Sequence, residues 1–172
     1  MNPFRVTLIA CGMGVAAIGA TYLLPNEGTV ERRLTVKAQP DEIVAILASA
    51  EAYQRINPYR NNDPDLKVET FGPTSGVGSG FHFAGKDGEG AQTVTRVTKN
   101  SVTYAIDLGD MGQPRQAVSM LPVAGGTEVV WQMTMDLGMN PVVRVMGLFM
   151  DGMLGETLET GLSNLSRTAG QA

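Results

Sequence analysis

Between Leu66 and Leu137 the hydrophobic pattern of this 172-residue chain runs with a period of two, and after Pro141 it switches to the period of a helix. Alternation puts successive side chains on opposite faces, so consecutive segments of this kind form a sheet with one face to bury. The candidate strands are Leu66–Phe71, Gly80–Gly85, Ala91–Thr98, Val102–Leu108, Gln116–Pro122 and Thr127–Leu137. Turn-forming residues separate them: Gly72-Pro73, Lys86-Asp87-Gly88, Lys99-Asn100 and Gly125-Gly126. Such short connections join antiparallel neighbours. From Pro141 to Arg167, residues Val142, Val145, Met146, Phe149, Met153, Leu158, Leu162 and Leu165 fall near one stripe of a single long helix.

Upstream, Thr29 to Ala38 alternates with Val30, Leu34 and Val36 in step and reads as a first strand. Gln39-Pro40-Asp41-Glu42 has the form of a helix start, with proline early and acids in the first turn. A second short helix, Glu51 to Ile56, stops near Asn57-Pro58, because the residue before proline avoids the helical region. The resulting class is α+β: a curved antiparallel sheet of about seven strands around a long C-terminal helix, the helix-grip arrangement, with two short helices after the first strand. A small sheet cannot cover a long helix tightly along its whole length, so a cavity between them is expected.

Residues 6–24, VTLIACGMGVAAIGATYLL, contain no charge. As a helix they would span about 28 Å, close to the hydrocarbon thickness of a bilayer. Arg5 precedes the run, and Pro25, Asn26 and Glu27 end it. An N-terminal transmembrane helix is the reading expected, with the positive flank cytoplasmic and the domain outside, periplasmic in a Gram-negative cell. A cleaved signal peptide, with Val15-Ala16-Ala17 as its cleavage site, and a lipoprotein signal at Leu8-Ile9-Ala10-Cys11 stay open as alternatives. The chain thus divides into an anchor or signal segment, 1–25, and a domain over 29–168.

Composition excludes several functions. A net charge of -4 without a basic stripe argues against nucleic acid as a partner. Cys11 is the one cysteine and His82 the one histidine, so no zinc site of His and Cys can be assembled and no cofactor is expected. Gly76, Gly78 and Gly80 lead into a strand rather than a helix, which makes them turn chemistry beside the cavity mouth and not a phosphate cradle.

Three groups of residues carry a family resemblance. They are Val36-Lys37-Ala38-Gln39-Pro40-Asp41-Glu42-Ile43-Val44; Gly76-Val77-Gly78-Ser79-Gly80-Phe81 with Gly126-Thr127-Glu128-Val129-Val130-Trp131; and Leu148-Phe149-Met150-Asp151-Gly152-Met153-Leu154-Gly155 followed by Glu159-Thr160-Gly161-Leu162-Ser163-Asn164-Leu165. In this order and spacing, Arg33 to Arg167 resembles the SRPBCC superfamily of START and Bet v 1-like proteins, and most of all its bacterial polyketide cyclase/dehydratase branch. The resemblance implies the helix-grip fold. It does not imply one reaction, because the fold hosts binders and enzymes alike. Asn57 stands where an aromatic residue often precedes the proline, and Phe81 and Phe83 where tyrosine and tryptophan are common.

Alternation nominates the residues that line the cavity: Phe81, Phe83, Gln92, Tyr104, Met120, Trp131 and Met133 from the strands, and Met146, Phe149, Met150 and Met153 from the helix. Methionine is flexible and polarizable and suits an irregular apolar ligand, although the same stripe also makes an ordinary core. His82, between Phe81 and Phe83, points outward, and Asp151 is placed for a salt bridge on the helix surface. Tyr53, Asn57, Tyr59, Arg60 and Asn61 form either a gate or a solvated loop. The expected function is membrane-tethered binding or carriage of a hydrophobic small molecule, a lipid or polycyclic compound, with Gln92 or Tyr104 orienting a polar end. The rivals are a polyketide cyclase/dehydratase-like enzyme, which needs a buried titratable group, and an interaction module with a filled core.

Overall fold

A computed structural model of the protein describes residues 19 and 21–170. Seven antiparallel strands form one sheet in the order β1-β7-β6-β5-β4-β3-β2. They are β1 (Glu27–Val36), β2 (Lys67–Phe71), β3 (Gly80–Gly85), β4 (Gly88–Thr98), β5 (Ser101–Asp107), β6 (Arg115–Val123) and β7 (Gly126–Asp136). Three short helices connect β1 to β2: α1 (Pro40–Leu47), α2 (Ala50–Tyr53) and α3 (Tyr59–Asn62). After β7 come α4 (Pro141–Gly147) and α5 (Met150–Ala169). The strands follow the expected segments closely, because each is fixed by its own alternation and its own turn residues. Pairing slips at Thr95, where a bulge separates Val94 from Arg96.

Two expectations change. The connection holds three short helices rather than two, since Tyr59–Asn62 re-forms a helical turn beyond Pro58. The long C-terminal helix is broken: at Leu148 and Phe149 the chain makes tighter bonds, to the carbonyls of Val145 and Met146. Gly147 permits this, because it lies so close over Leu137 that a side chain there would collide. Most of the expected span lies outside the described residues, namely 6–18 and 20. Among the described residues no helix is long and apolar enough to cross a membrane.

The register gives the sheet two distinct ends. Glu27 faces Asp136, Arg115 faces Thr134, Asp107 faces Ala91 and Lys67 faces Ala84. The start of β1, the end of β7, the start of α4 and the β3–β4 turn therefore share one end, called here the β3–β4 end. The opposite end carries the β6–β7 turn and α1.

The inner face holds the core. Val30, Val36, Val102, Val118, Val129 and Trp131 are buried beneath α1 and the stripe Leu158, Leu162 and Leu165 of α5. Two glycines let α5 sit this close. A Cβ on Gly161 would meet the Trp131 ring at 2.8 and 2.9 Å, and one on Gly155 would collide with the Arg32 guanidinium. Arg32 occupies an inward position of β1, where alternation calls for an apolar residue. It forms a bidentate pair with Asp151 at 2.7 and 3.0 Å and binds Glu159 at 2.7 Å, clamping β1 to α5. Hydrogen bonding to Arg32 holds the Asp151 carboxyl below its ordinary range. The salt-bridge role expected of Asp151 is therefore present. On the other half of the sheet, the Tyr104 hydroxyl donates to the Leu47 carbonyl at 2.7 Å and ties the end of α1 to β5.

Two substitutions test the seating of α5 by urea unfolding. Gly152→Ala, with nothing within 4 Å of the added carbon, is expected to stabilise by about 0.5–1 kcal/mol through helix propensity. Gly161→Ala has the same intrinsic gain but must displace the Trp131 ring. A net loss of about 1–2 kcal/mol is expected, and equal gains at both sites would disprove the steric account.

Candidate functional site

The site is built on the inner face between β3, β4 and β5 and the helix α2. Ser49 caps α2, its hydroxyl accepting from the Ala52 amide, and the short turn delivers Tyr53 into the core. The Tyr53 ring lies 5.6 Å from Phe81, 5.7 Å from Tyr104 and 6.2 Å from Trp131 between centroids, with edge-on geometry to the last two. These separations suit attractive aromatic contact. Beside the cluster the packing leaves a narrow gap, without room for a water molecule, bounded by Leu47, Ala50, Tyr53, Ser79, Phe81, Gln92, Val94 and Tyr104.

The polar atoms of this interior are unevenly satisfied. Gln116 Nε2 donates to the Tyr53 hydroxyl at 3.3 Å. Burial pushes the Tyr53 phenol up to about 12, while the neighbouring Gln116 and Gln92 amides act in the opposite direction. Burial, with Tyr53 adding to it, also raises the Tyr104 phenol well above its ordinary value. Gln92 is 7% exposed and its Nε2 has no hydrogen-bond partner; the buried Trp131 Nε1 has none either. An unmet buried donor costs roughly 1–3 kcal/mol and calls for an explanation.

Of the nominated residues, Phe81, Gln92, Tyr104, Met120, Trp131, Met133 and Met150 are buried. Phe83 is half-buried, 6.2 Å from Phe81, where the inner face opens at the β3–β4 end. The Tyr104 hydroxyl is committed to Leu47, so Gln92 is the one of the two expected polar anchors with a free donor. Met150 packs over Gly28 and Leu137. Met146, Phe149 and Met153 do not reach the interior: they are 54%, 63% and 64% exposed. The break at Leu148–Phe149 turns their stripe away from the sheet.

His82 is exposed, as its alternation predicts, and its ring centre lies 4.7 Å from that of Phe71, the two planes tilted by 40°. The Phe71 ring also crosses Gly80, where a side chain would collide with it. The glycines Gly76 and Gly78 adopt positive φ and bond to Ala48 and Val94. Their loop thus rests against α1, at the end of the sheet opposite the β3–β4 turn. At the β3–β4 end itself is an open concavity of about 810 Å³, bordered by Val68, Phe83 and Leu108 and by Glu69, His82 and Asp107. Asn57 is buried, and Asn164 of α5 bonds to the Ile56 carbonyl and to Asn61, so the α2–α3 loop is tied down. Among the described residues no group of His, Cys, Asp and Glu could hold a metal ion.

Sequence reasoning missed Tyr53 as the centre of the site. Its signal was present, since Ala50 and Tyr53 share one face of a capped turn, but the partners come from strands far along the chain.

The fold has been solved in other proteins. The chain superposes on the di-domain ARO/CYC StfQ from the steffimycin biosynthetic pathway with a TM-score of 0.63 at 12% identity, over 84% of this chain and 51% of that one. It therefore spans about half of that protein. Truncated norcoclaurine synthase from Thalictrum flavum gives 0.64 at 16% identity, over 83% and 92%. Protein CV1439 from Chromobacterium violaceum gives 0.56 at 11%, over 83% and 96%. At such identities the likeness establishes the fold alone. No curated protein matches the sequence significantly. The sequence model described as polyketide cyclase / dehydrase and lipid transport matches residues 27–170, the whole of the sheet and its helices, and the chain belongs to that family.

Proposed function

We propose that the protein binds or carries a hydrophobic small molecule, a lipid or polycyclic compound, between the sheet and the helices, with residues 6–24 tethering it to a membrane. The domain then lies on the side away from the positive Arg5 flank, periplasmic in a Gram-negative cell. The observation that carries the reading is Gln92: its buried Nε2 lies near the Tyr53 hydroxyl without forming a hydrogen bond to it or to any other group. A polar group on an otherwise apolar ligand would satisfy it. The family description, which includes lipid transport, points the same way.

The gap has no room even for a water molecule, far below the 300–1,000 Å³ typical of ligand sites. Occupancy therefore requires the aromatic cluster to part, with Phe83 at the β3–β4 end as the outermost ring. The cyclase or dehydratase reading has less support. The ionisable groups bounding the gap are Tyr53 and Tyr104, which burial keeps protonated at neutral pH. The Tyr104 hydroxyl already donates to Leu47, which leaves Tyr53 as the possible donor, and neither can serve as a base there.

Trp131 is the chain's one tryptophan, and it touches Tyr53. Its emission, recorded for the full chain in nanodiscs, should respond saturably to some members of a library of fatty acids and polycyclic aromatics. Gln92→Leu should weaken ligands with a polar end by about tenfold, while leaving the free protein equally or more stable. A uniform absence of saturable response would falsify the binding reading. Binding should also be flat from about pH 6 to about pH 9. A phenol raised in the folded state leaves stability intact below its ordinary value of 10 and erodes it as pH rises towards about 12. Phenolate absorbance from the buried tyrosines should thus appear only as the fold is lost.

A further inference from the structure

Helix α4 and the first turn of α5 are amphipathic in the wrong sense for a water-soluble surface. Val142, Val145, Met146, Phe149 and Met153 recur at helical spacing and face outward, and Leu148 is exposed beside them. Arg144, the one charged residue of α4, is buried instead. Its guanidinium donates to the carbonyls of Gly138 at 2.8 Å, Tyr22 at 3.1 Å and Leu24 at 3.2 Å, and lies over the Tyr22 ring at 5.6 Å. The end of the uncharged run 6–24 is thereby pinned against the inner side of α4. Tyr22 and Leu23 are themselves exposed next to the patch.

An apolar face of this kind needs a partner. The chain leading from it supplies one, since residues 6–24 have the length and composition to enter a bilayer. We propose that the outward face of α4 and the first turn of α5 lies in the headgroup–acyl boundary of the bilayer that residues 6–24 enter. This rests on the tethering in the reading above. It also orients the domain, because the register puts α4, the start of β1 and the concavity bordered by Phe83 at the same end of the sheet. The half-buried Phe83, at that end of the inner face, then lies on the bilayer side. Attachment comes from apolar burial and not from charge. Glu27, Asp87, Glu89, Asp107, Asp110 and Asp136 crowd this end against Lys67, Lys86 and Arg115, so anionic lipid adds no attraction.

The test uses the full chain with Cys11→Ala and single cysteines at Met146, Phe149, Met153 or, as a control, Leu121. Leu121 is exposed on β6, towards the opposite end of the sheet. Each variant carries an environment-sensitive fluorophore and is reconstituted in phosphatidylcholine vesicles with or without brominated acyl chains. Labels at 146, 149 and 153 should lose emission to the brominated lipid at low and high salt alike, and the label at 121 should not. Flotation of the same vesicles reports tethering separately. Protein that floats but is not quenched at the three positions overturns the docking and leaves the tether intact. Shielding from iodide without quenching by brominated lipid also overturns it, and identifies residues 6–20 or a protein as the cover. Protein that does not float overturns the tether, and the docking with it.

Discussion

Helix α5 sits close against the sheet at two positions where it lacks side chains. Gly161 accepts the Trp131 ring and Gly155 accepts the Arg32 guanidinium. Glycine in a helix interior costs about 1 kcal/mol relative to alanine, so both positions would be poor choices if the helix stood alone. Packing reverses the balance. Once the helix is seated, Leu158, Leu162 and Leu165 close the core, and Arg32 holds Asp151 and Glu159 against β1. Helix α5 occupies the β1–β7 half of the inner face, and α1 and α2 pack on the rest, against β5, β6 and β2.

That second half is where the physical account becomes functional. It is covered by short helices that bury Ile43, Leu47, Tyr53 and Ile56, with polar ties from Tyr104 to Leu47 and from Ser79 to the Ala50 amide. The same region contains the buried amide of Gln92 and the aromatic cluster around Tyr53. A closed interior with unmet donors suits a ligand that must be admitted and released. A fully satisfied core would have no reason to place an amide there.

The two ends of the sheet are chemically unlike. The end with the β6–β7 turn packs α1 and the glycine loop into the core, whereas the β3–β4 end carries the exposed apolar face of α4, the chain from the hydrophobic run and an open concavity. Arg144 enforces this polarity. By spending its donors on backbone carbonyls inside, it turns the apolar side of α4 outward.

Much of the architecture is written in local pattern. Period-two alternation and the glycine, proline and asparagine turns determine the strands, their sequential pairing and which of Phe81, Gln92, Tyr104 and Trp131 face inward. These are properties of neighbouring residues, so they can be read without the fold. The outward direction of His82 follows from the same rule. Three features depend on contacts between distant residues and were decided by tertiary structure. The apolar stripe from Val142 to Leu165 is continuous in sequence, and only the approach of Gly147 to Leu137 and the carbonyl cage around Arg144 divide it into an outward half and an inward half. Tyr53 becomes the centre of the interior because strands β3, β5 and β7 bring Phe81, Tyr104 and Trp131 around it. The Tyr104 hydroxyl and the Gln92 amide look equivalent as polar anchors in sequence, and the placement of the Leu47 carbonyl alone leaves one occupied and the other unmet. Periodicity specifies the face on which a side chain stands; what it meets there depends on packing, which brings together residues far apart in the chain.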